Sequence, residues 1–359
     1  MKILILNWRD INHPQAGGSE LYFHEMAKIW IKNGHKVFWI AGGWKNCKKR
    51  ENLEGIEVTR IGQKTSLYLL APFAYLKLKE SPDVILDVEN GFPFFSPFFS
   101  RKKIILHIHH IHKEVWPREF NPPISTIGNF LESKLMPLVY SKKKIITISK
   151  SSHDEILKEY SLESKIVNPG TNFYKIKKFK KNKKPTLLFL NRIKKYKGIL
   201  TLLKAIEVLN SKKIKVELLV GGQGDYLQEI KSYAKKKRLE NVSFLGYIKE
   251  NKKQELMQKA WIFVNPSSKE GWGIVNIEAN YFSTPVIGSD VGGIRDSVVD
   301  GETGLLFKQE NHIELAKKIE LLLKDKLLRE KMGERGRKWA NSFSWETSAD
   351  KYLEEIKQL

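Results

Sequence analysis

Short apolar runs alternate with longer amphipathic stretches along almost all of this 359-residue chain, and that alternation leaves few folds open. Parallel strands covered on both faces read as unbroken apolar runs, and each parallel pair needs a connection long enough to hold a helix. Residues 2–7, 36–41, 84–86, 104–107, 145–148 and 166–167 read as one series of strands. Between the first two, Ser19 is placed to cap a helix carrying Leu21, Phe23, Met26, Ala27 and Trp30 at helical spacing, and Gly34 ends it. Residues 151–160 read as a helix before the last strand of the series. After a lysine-rich run at 175–184 the alternation restarts, with strands at 186–190, 215–220, 242–244, 262–264 and 285–287 and helices at 198–210 and 226–237. From His312 onward the chain reads as helical, with a break at 341–344. The economical fold is α/β with two doubly wound domains. These are an N-terminal domain over 1–170, a solvated basic linker over 171–185 and a C-terminal domain over 186–344. Ligands of open α/β sheets sit beyond the carboxyl ends of the strands, so a central cleft faced by both domains is the expected active site.

No apolar run reaches the ~18 residues that a membrane span needs. The opening apolar run is cut short by Asn7, Arg9 and Asp10, which does not fit a secretory signal. A lone cysteine, Cys47, makes no intrachain disulfide. These features lead us to expect a cytoplasmic protein. Its charge is unusual: 63 Lys and Arg against 40 Asp and Glu give a formal net charge of +23. Such an excess favours anionic partners, among them phosphorylated ligands, acidic membrane surfaces and nucleic acid. Yet 52 of the basic residues are lysine, whereas arginine is preferred where phosphates or bases are read in a fixed fork. Specific nucleic-acid binding is therefore not expected, and genome composition or a hot habitat accounts for much of the lysine.

Candidate binding residues sit where strands give way to helices. Gly17 and Gly18 lie between the first strand and its helix, where the backbone approaches a ligand closely and free N–H groups face an anion. Arg192 and Lys197 flank a turn between a strand and a helix and suit a phosphate, as a solvated basic turn also would. Gly221, Gly222 and Gly224 hold the same place one unit later. The most informative segment is Glu270-Gly271-Trp272-Gly273-Ile274-Val275-Asn276-Ile277-Glu278. It places two carboxylates near one helix N-terminus, a combination that suits vicinal hydroxyls beside a phosphate.

That pair of glutamates eight residues apart resembles the paired-Glu motif of the retaining family four glycosyltransferases, which have the GT-B fold of two Rossmann-like domains. Further segments agree in order: Gly17-Gly18, Arg192 with Lys197-Gly198, Gly221-Gly222-Gln223-Gly224, Pro266-Ser267, Thr284-Pro285-Val286-Ile287-Gly288 and Asp300-Gly301-Glu302-Thr303-Gly304-Leu305-Leu306-Phe307. The resemblance covers nearly the whole chain. It implies that Arg192 and Lys197 bind the donor diphosphate, Glu278 the nucleotide ribose and Glu270 the hydroxyls of the transferred sugar. Gly17 and Gly18 would face the diphosphate, and Gly222, Gly271, Trp272 and Gly273 would line the donor. Backbone at Tyr247-Ile248 would border the base. The helix over 345–359 would pack back on the N-terminal, acceptor-binding domain.

Four histidines within His107-Ile108-His109-His110-Ile111-His112 suggest a metal. The resemblance instead points to His109 as an active-site residue beside the sugar and to chemistry without a bound metal or cofactor. Two apolar segments, 67–73 and 92–99, flanked by Lys77, Lys79, Arg101, Lys102 and Lys103, are expected either to rest on a bilayer or to pack in the core. The resemblance thus implies a retaining hexosyltransferase. It would use a UDP- or GDP-linked sugar and a glycan or lipid-linked acceptor, peripheral on the cytoplasmic membrane face. Another GT-B enzyme such as an epimerase or a phosphorylase, and a non-catalytic basic protein binding anionic membrane or nucleic acid, are the alternatives.

Overall fold

The computed structural model describes residues 1–63, 65–113, 116, 121–172 and 180–359. The chain divides into two compact units, Met1–Gly170 with Trp345–Leu359, and Thr171–Ser344. The first half of the lysine run at 175–184 and the pair Glu114-Val115 lie outside the described residues.

The first unit is built on strands β1 (Lys2–Leu6), β2 (Lys36–Gly42), β3 (Arg50–Leu53), β4 (Ile56–Ile61), β5 (Val84–Glu89), β6 (Lys103–Ile108), β7 (Lys144–Thr147) and β8 (Lys165–Ile166). They form one sheet in the order β3-β4-β2-β1-β5-β6-β7-β8. Only β3 runs antiparallel, as an edge hairpin with β4. That hairpin is absent from the sequence reading. Its turn uses two positive φ angles, at Glu54 and Gly55, and the Asn52 side chain accepts the Gly55 N–H. One face of the sheet packs against α2 (Ser66–Leu76), the Met136–Tyr140 helix and α5 (Lys150–Tyr160), with Leu67, Ala71, Phe94, Met136, Tyr140 and Ile156 buried. Of the helices between α2 and α5, α3 (Ile124–Phe130) leads through a π-helical turn (Leu131–Leu135) into α4, the Met136–Tyr140 helix. Helix α1 (Gly18–Lys32) packs with the last helix of the chain, Trp345–Lys357: the Trp30 indole donates to the Ala349 carbonyl at 3.0 Å, and the ring of Tyr22 meets Trp345 edge-on.

The second unit is wholly parallel. Strands β9 (Thr186–Leu190), β10 (Glu217–Gly221), β11 (Val242–Gly246), β12 (Ile262–Asn265), β13 (Val286–Ser289) and β14 (Gly304–Phe307) run in the order β11-β10-β9-β12-β13-β14. Read from the first strand, this is the doubly wound order, whose direction reverses between β9 and β12. Helices α6 (Ile199–Ser211), α7 (Leu227–Lys236), α8 (Glu250–Lys259), α9 (Ile274–Tyr281), α10 (Gly292–Ser297), α11 (His312–Lys324) and α12 (Lys326–Ala340) cover it. The Trp345–Lys357 helix of the first unit is α13.

Two expectations need correction. Helix α1 starts two residues earlier than Ser19 would cap it: Gly17 is the N-cap, and Ser19 Oγ instead accepts from Asn7 Nδ2 at 3.4 Å. The described end of the lysine run is also more than a solvated connection. The Lys181 ammonium donates to the Ala260 carbonyl and to Thr284 Oγ1, and the Asn182 carbonyl accepts from the Trp261 indole.

Candidate functional site

In the second unit the strand order reverses between β9 and β12, and the loops leaving these two strands carry the charged residues. The first loop runs from Leu190 through Arg192 to the short 3-10 turn Lys195–Lys197 and enters α6 at Gly198. Gly198 has φ +71, and a Cβ there would overlap the Pro266 carbonyl, so glycine lets the two loops close on each other. The Ser268 N–H and hydroxyl both bond the Tyr196 carbonyl, at 2.7 and 3.0 Å. This locking brings the Lys197 ammonium to 2.6 Å from Glu270 Oε1, both side chains being largely buried. Arg192 remains exposed, and its Nη2 lies 3.4 Å from the Tyr196 hydroxyl. A buried Lys–Glu pair with an exposed guanidinium beside it offers cationic donors and a hydroxyl acceptor within one small region.

Helix α9 starts at the same end of the sheet. Gly273, its N-cap, has φ +80. A Cβ on Gly293 would overlap the backbone of Gly271 and Trp272, so α10 presses directly on this loop. The first N–H groups of α9 have no intrahelical acceptor and are suited to an anion. The Trp272 ring is buried and meets Phe343 edge-on at 5.1 Å, so what this residue can offer a ligand is its backbone. Glu278 is 7% exposed, and its Oε1 lies 2.7 Å from the Lys253 ammonium of α8. Burial raises the pKa of Glu278, and the charge of Lys253 works against that rise. Burial alone would lower the pKa of Lys253, but the carboxylates of Glu278 and Glu250 outweigh it and hold the ammonium protonated. Lys253 was not singled out in the sequence, because it sits among Lys, Gln and Glu residues that read as a solvated helix face. Gly222, with φ +135, packs so that a Cβ would overlap the Asn191 carbonyl, and Ile248 lies against Gly221. The ends of β9, β10 and β11 are knitted there by Asn191 N–H to the Gly221 carbonyl (3.2 Å) and Gly222 N–H to the Gly246 carbonyl (2.7 Å).

In the first unit, Gly17 and Gly18 open α1 beyond the carboxyl end of β1. The Gly17 N–H is already taken by the Glu20 carboxylate at 2.6 Å, so an anion at this turn would meet Glu20 as well. His109 follows β6 and is 7% exposed, with Nδ1 3.4 Å from His107 Nε2 and with Nε2 lacking a hydrogen-bond partner. Burial, and then the nearby charge of His112, lower its pKa to about 3, so the ring is neutral. The histidine run does not gather into one ligand set. His107 stacks with Tyr352, and the rings of His110 and His112 lie together, 4.4 Å apart. The one cluster of metal-ligating type among the described residues is Glu89, His112 and Glu132; the sequence flagged His112 within the histidine run but gave no signal for the two glutamates, which are far from it in the chain.

The apolar segments divide rather than acting as blocks. Leu67, Ala71 and Phe94 are core residues, which removes Phe94 from any membrane-facing cluster. Phe95 and Phe99 are half-buried, while Leu69, Phe73, Leu76 and Phe98 are 76%, 63%, 75% and 69% exposed. Among the described residues no helix is long and apolar enough to cross a membrane.

The family described as Glycosyl transferases group 1 matches residues 171–339, and Glycosyltransferase Family 4 matches residues 16–172. An uncharacterized glycosyltransferase of Methanocaldococcus jannaschii is 33% identical over 44% of this chain and 44% of its own length, so the match spans less than half of that relative. One from Haemophilus influenzae is 27% identical over 97% of this chain and 98% of its own. The solved structure of HepE from Anabaena in complex with UDP-glucose has a TM-score of 0.79 at 19% identity, with 100% of both chains covered.

Proposed function

The chain belongs to the group 1 glycosyltransferases with the GT-B fold, and from that membership we propose that it moves a hexosyl unit from a nucleotide diphosphate sugar to a glycan or lipid-linked acceptor with retention. The observation that carries this reading is the set Arg192, Lys197, Glu270 and Glu278 around the point where the strand order of the second unit reverses. Arg192, Lys197 and the N-terminus of α9 offset the diphosphate charge, which makes a bound metal unnecessary for neutralising the leaving group. Glu278 accepts from the ribose hydroxyls, and Glu270 from hydroxyls of the transferred sugar. Gly222 and Ile248 border the nucleotide. Gly17 and Gly18 meet the diphosphate, and neutral His109 serves the sugar through its unpartnered Nε2.

In this reaction the bond from the anomeric carbon to the β-phosphate oxygen breaks as the acceptor oxygen attacks the same face. The departing phosphate takes the acceptor proton. The protein contributes positioning and charge stabilisation. The donor is a UDP- or GDP-sugar; the UDP-glucose bound by HepE favours the former. A lipid-linked acceptor and peripheral membrane attachment are supported by the exposed Leu69, Phe73, Leu76 and Phe98 together with the basic excess. Incubation with a panel of nucleotide sugars, followed by thermal shift and then by transfer to candidate acceptors, tests the reading. Stabilisation by no nucleotide sugar, or donor turnover to an epimer without transfer, would overturn it.

A further inference from the structure

The first unit carries a second polar centre that the proposed transfer does not use. Glu89 closes β5, at the place where the strand order of this sheet reverses, and is 1% exposed. Its Oε1 accepts the Gly91 N–H and lies 3.2 Å from His112 Nδ1, while its Oε2 has no hydrogen-bond partner. Glu132 is also 1% exposed and accepts from the His112 N–H at 2.5 Å and the Trp116 indole at 2.8 Å. It belongs to the π-helical turn Leu131–Leu135, a distortion often found at functional sites. The Tyr160 hydroxyl is buried beside the two carboxylates, both of which oppose its ionisation. One ligand atom each from Glu89, His112 and Glu132 lies within 4.8 Å of the others.

Among the described residues no ion pair joins a lysine or arginine to either carboxylate, and the basic side chain beside Glu89 is His112. Two buried carboxylates this close together are costly unless they are compensated. A divalent ion offsets both and leaves the imidazole neutral, the form in which it ligates. We propose that Glu89, His112 and Glu132 bind a divalent transition-metal ion, Zn²⁺ or Mn²⁺, which ties the end of β5, the segment after β6 and the π-helical turn together. Ligand atoms ~2.1 Å from an ion stand at most ~4.2 Å apart, so the three groups draw in by a fraction of an ångström. The mixed oxygen and nitrogen donor set suits these ions better than Ca²⁺ or Mg²⁺.

The test uses the full chain, stripped with EDTA and exchanged into chelator-free buffer. Zn²⁺ and Mn²⁺ are each titrated calorimetrically, and bound metal is counted after dialysis. One ion per chain is expected, with a higher melting temperature. Glu89→Gln and Glu132→Gln keep the side-chain shape and should each weaken binding at least tenfold, while His35→Ala, in the link between α1 and β2, should bind as wild type does. Failure of the wild-type chain to take up a stoichiometric ion, or unchanged affinity in both glutamine variants, overturns the assignment. The readout is metal uptake, so it stands or falls independently of glycosyl transfer.

Discussion

Replacing Lys253 by methionine isolates the electrostatics of the α8–α9 contact. The ammonium sits 2.7 Å from Glu278 Oε1, the two side chains being 20% and 8% exposed. Without it the carboxylate has lost its counter-charge in a buried place, and removing one partner of a buried pair costs ~3–5 kcal/mol. Protonation sets a ceiling on that cost. Glu278 starts from an ordinary value of 4.5, and each pH unit between that value and the working pH is worth ~1.4 kcal/mol, so the loss at pH 7 is at most about 3.4 kcal/mol. The direction follows from linkage. The folded pKa is raised above the unfolded one, so the folded form binds more protons in this window, and stability is lost as pH rises above ~4.5. At pH 5 the same variant should therefore lose only about 0.7 kcal/mol relative to wild type. Urea unfolding of both proteins at pH 5 and pH 7, followed by tryptophan fluorescence, measures the difference. Lys253→Met combined with Glu278→Gln should recover most of the loss at pH 7, because no buried charge remains. Equal destabilisation of Lys253→Met at the two pH values would refute the electrostatic account and leave only lost packing.

Other outcomes follow from the same geometry. Gly222→Ala forces an alanine to φ +135 against the Asn191 carbonyl and should cost ~1–3 kcal/mol in strain, with a higher donor KM; wild-type stability would mean the strand end yields freely. Glycosyl transfer assayed well below the melting temperature should persist after exhaustive EDTA treatment, while the melting temperature falls; loss of transfer that a divalent ion alone restores would place a metal in the chemistry. Sedimentation should show more protein bound to anionic than to neutral vesicles at low salt, and Leu69→Ser with Phe73→Ser should reduce it; equal binding to both vesicle types would remove the membrane reading.

Much of the fold was readable because parallel strands must be apolar throughout. Lys2–Leu6, Thr186–Leu190 and Ile262–Asn265 are buried along nearly their whole length and announce themselves. The doubly wound arrangement holds in both units. Strand β4 escaped notice although Ile56 and Val58 alternate with polar residues, because Arg60, which continues the buried side, is charged. The fold tolerates that arginine through a buried pair with Asp10, Nε to Oδ2 at 2.6 Å. Such a pair joins residues fifty apart and leaves no local mark in the chain.

The charged residues of the second unit were legible for a different reason. Glu270 and Glu278 are joined by one glycine-rich loop and one helical turn, so their neighbourhood was implied by spacing. Lys253 comes from another helix, and Glu89, His112 and Glu132 come from a strand end, a loop and a π-helical turn. Only tertiary packing assembles either group. Burial was equally hidden: Phe94 and Phe98 lie four residues apart in one aromatic run, yet the first is core and the second is 69% exposed.

The central claim is that Arg192, Glu270 and Glu278 form the donor site of a sugar transfer, and steady-state kinetics on three variants tests it most directly. If Arg192 stabilises charge that grows on the departing phosphate, Arg192→Ala should lower kcat by ~10²–10³-fold. Glu278→Gln loosens a grip on ribose that is similar in ground and transition states, so it should act mainly on the donor KM. Glu270→Gln should fall between the two, since it helps place the anomeric carbon and also loses the charge that pairs with Lys197 at 2.6 Å. With circular dichroism establishing that each variant is folded, that ordering is the predicted result. Wild-type turnover in both Arg192→Ala and Glu270→Gln would contradict the account and move the reaction elsewhere on the chain.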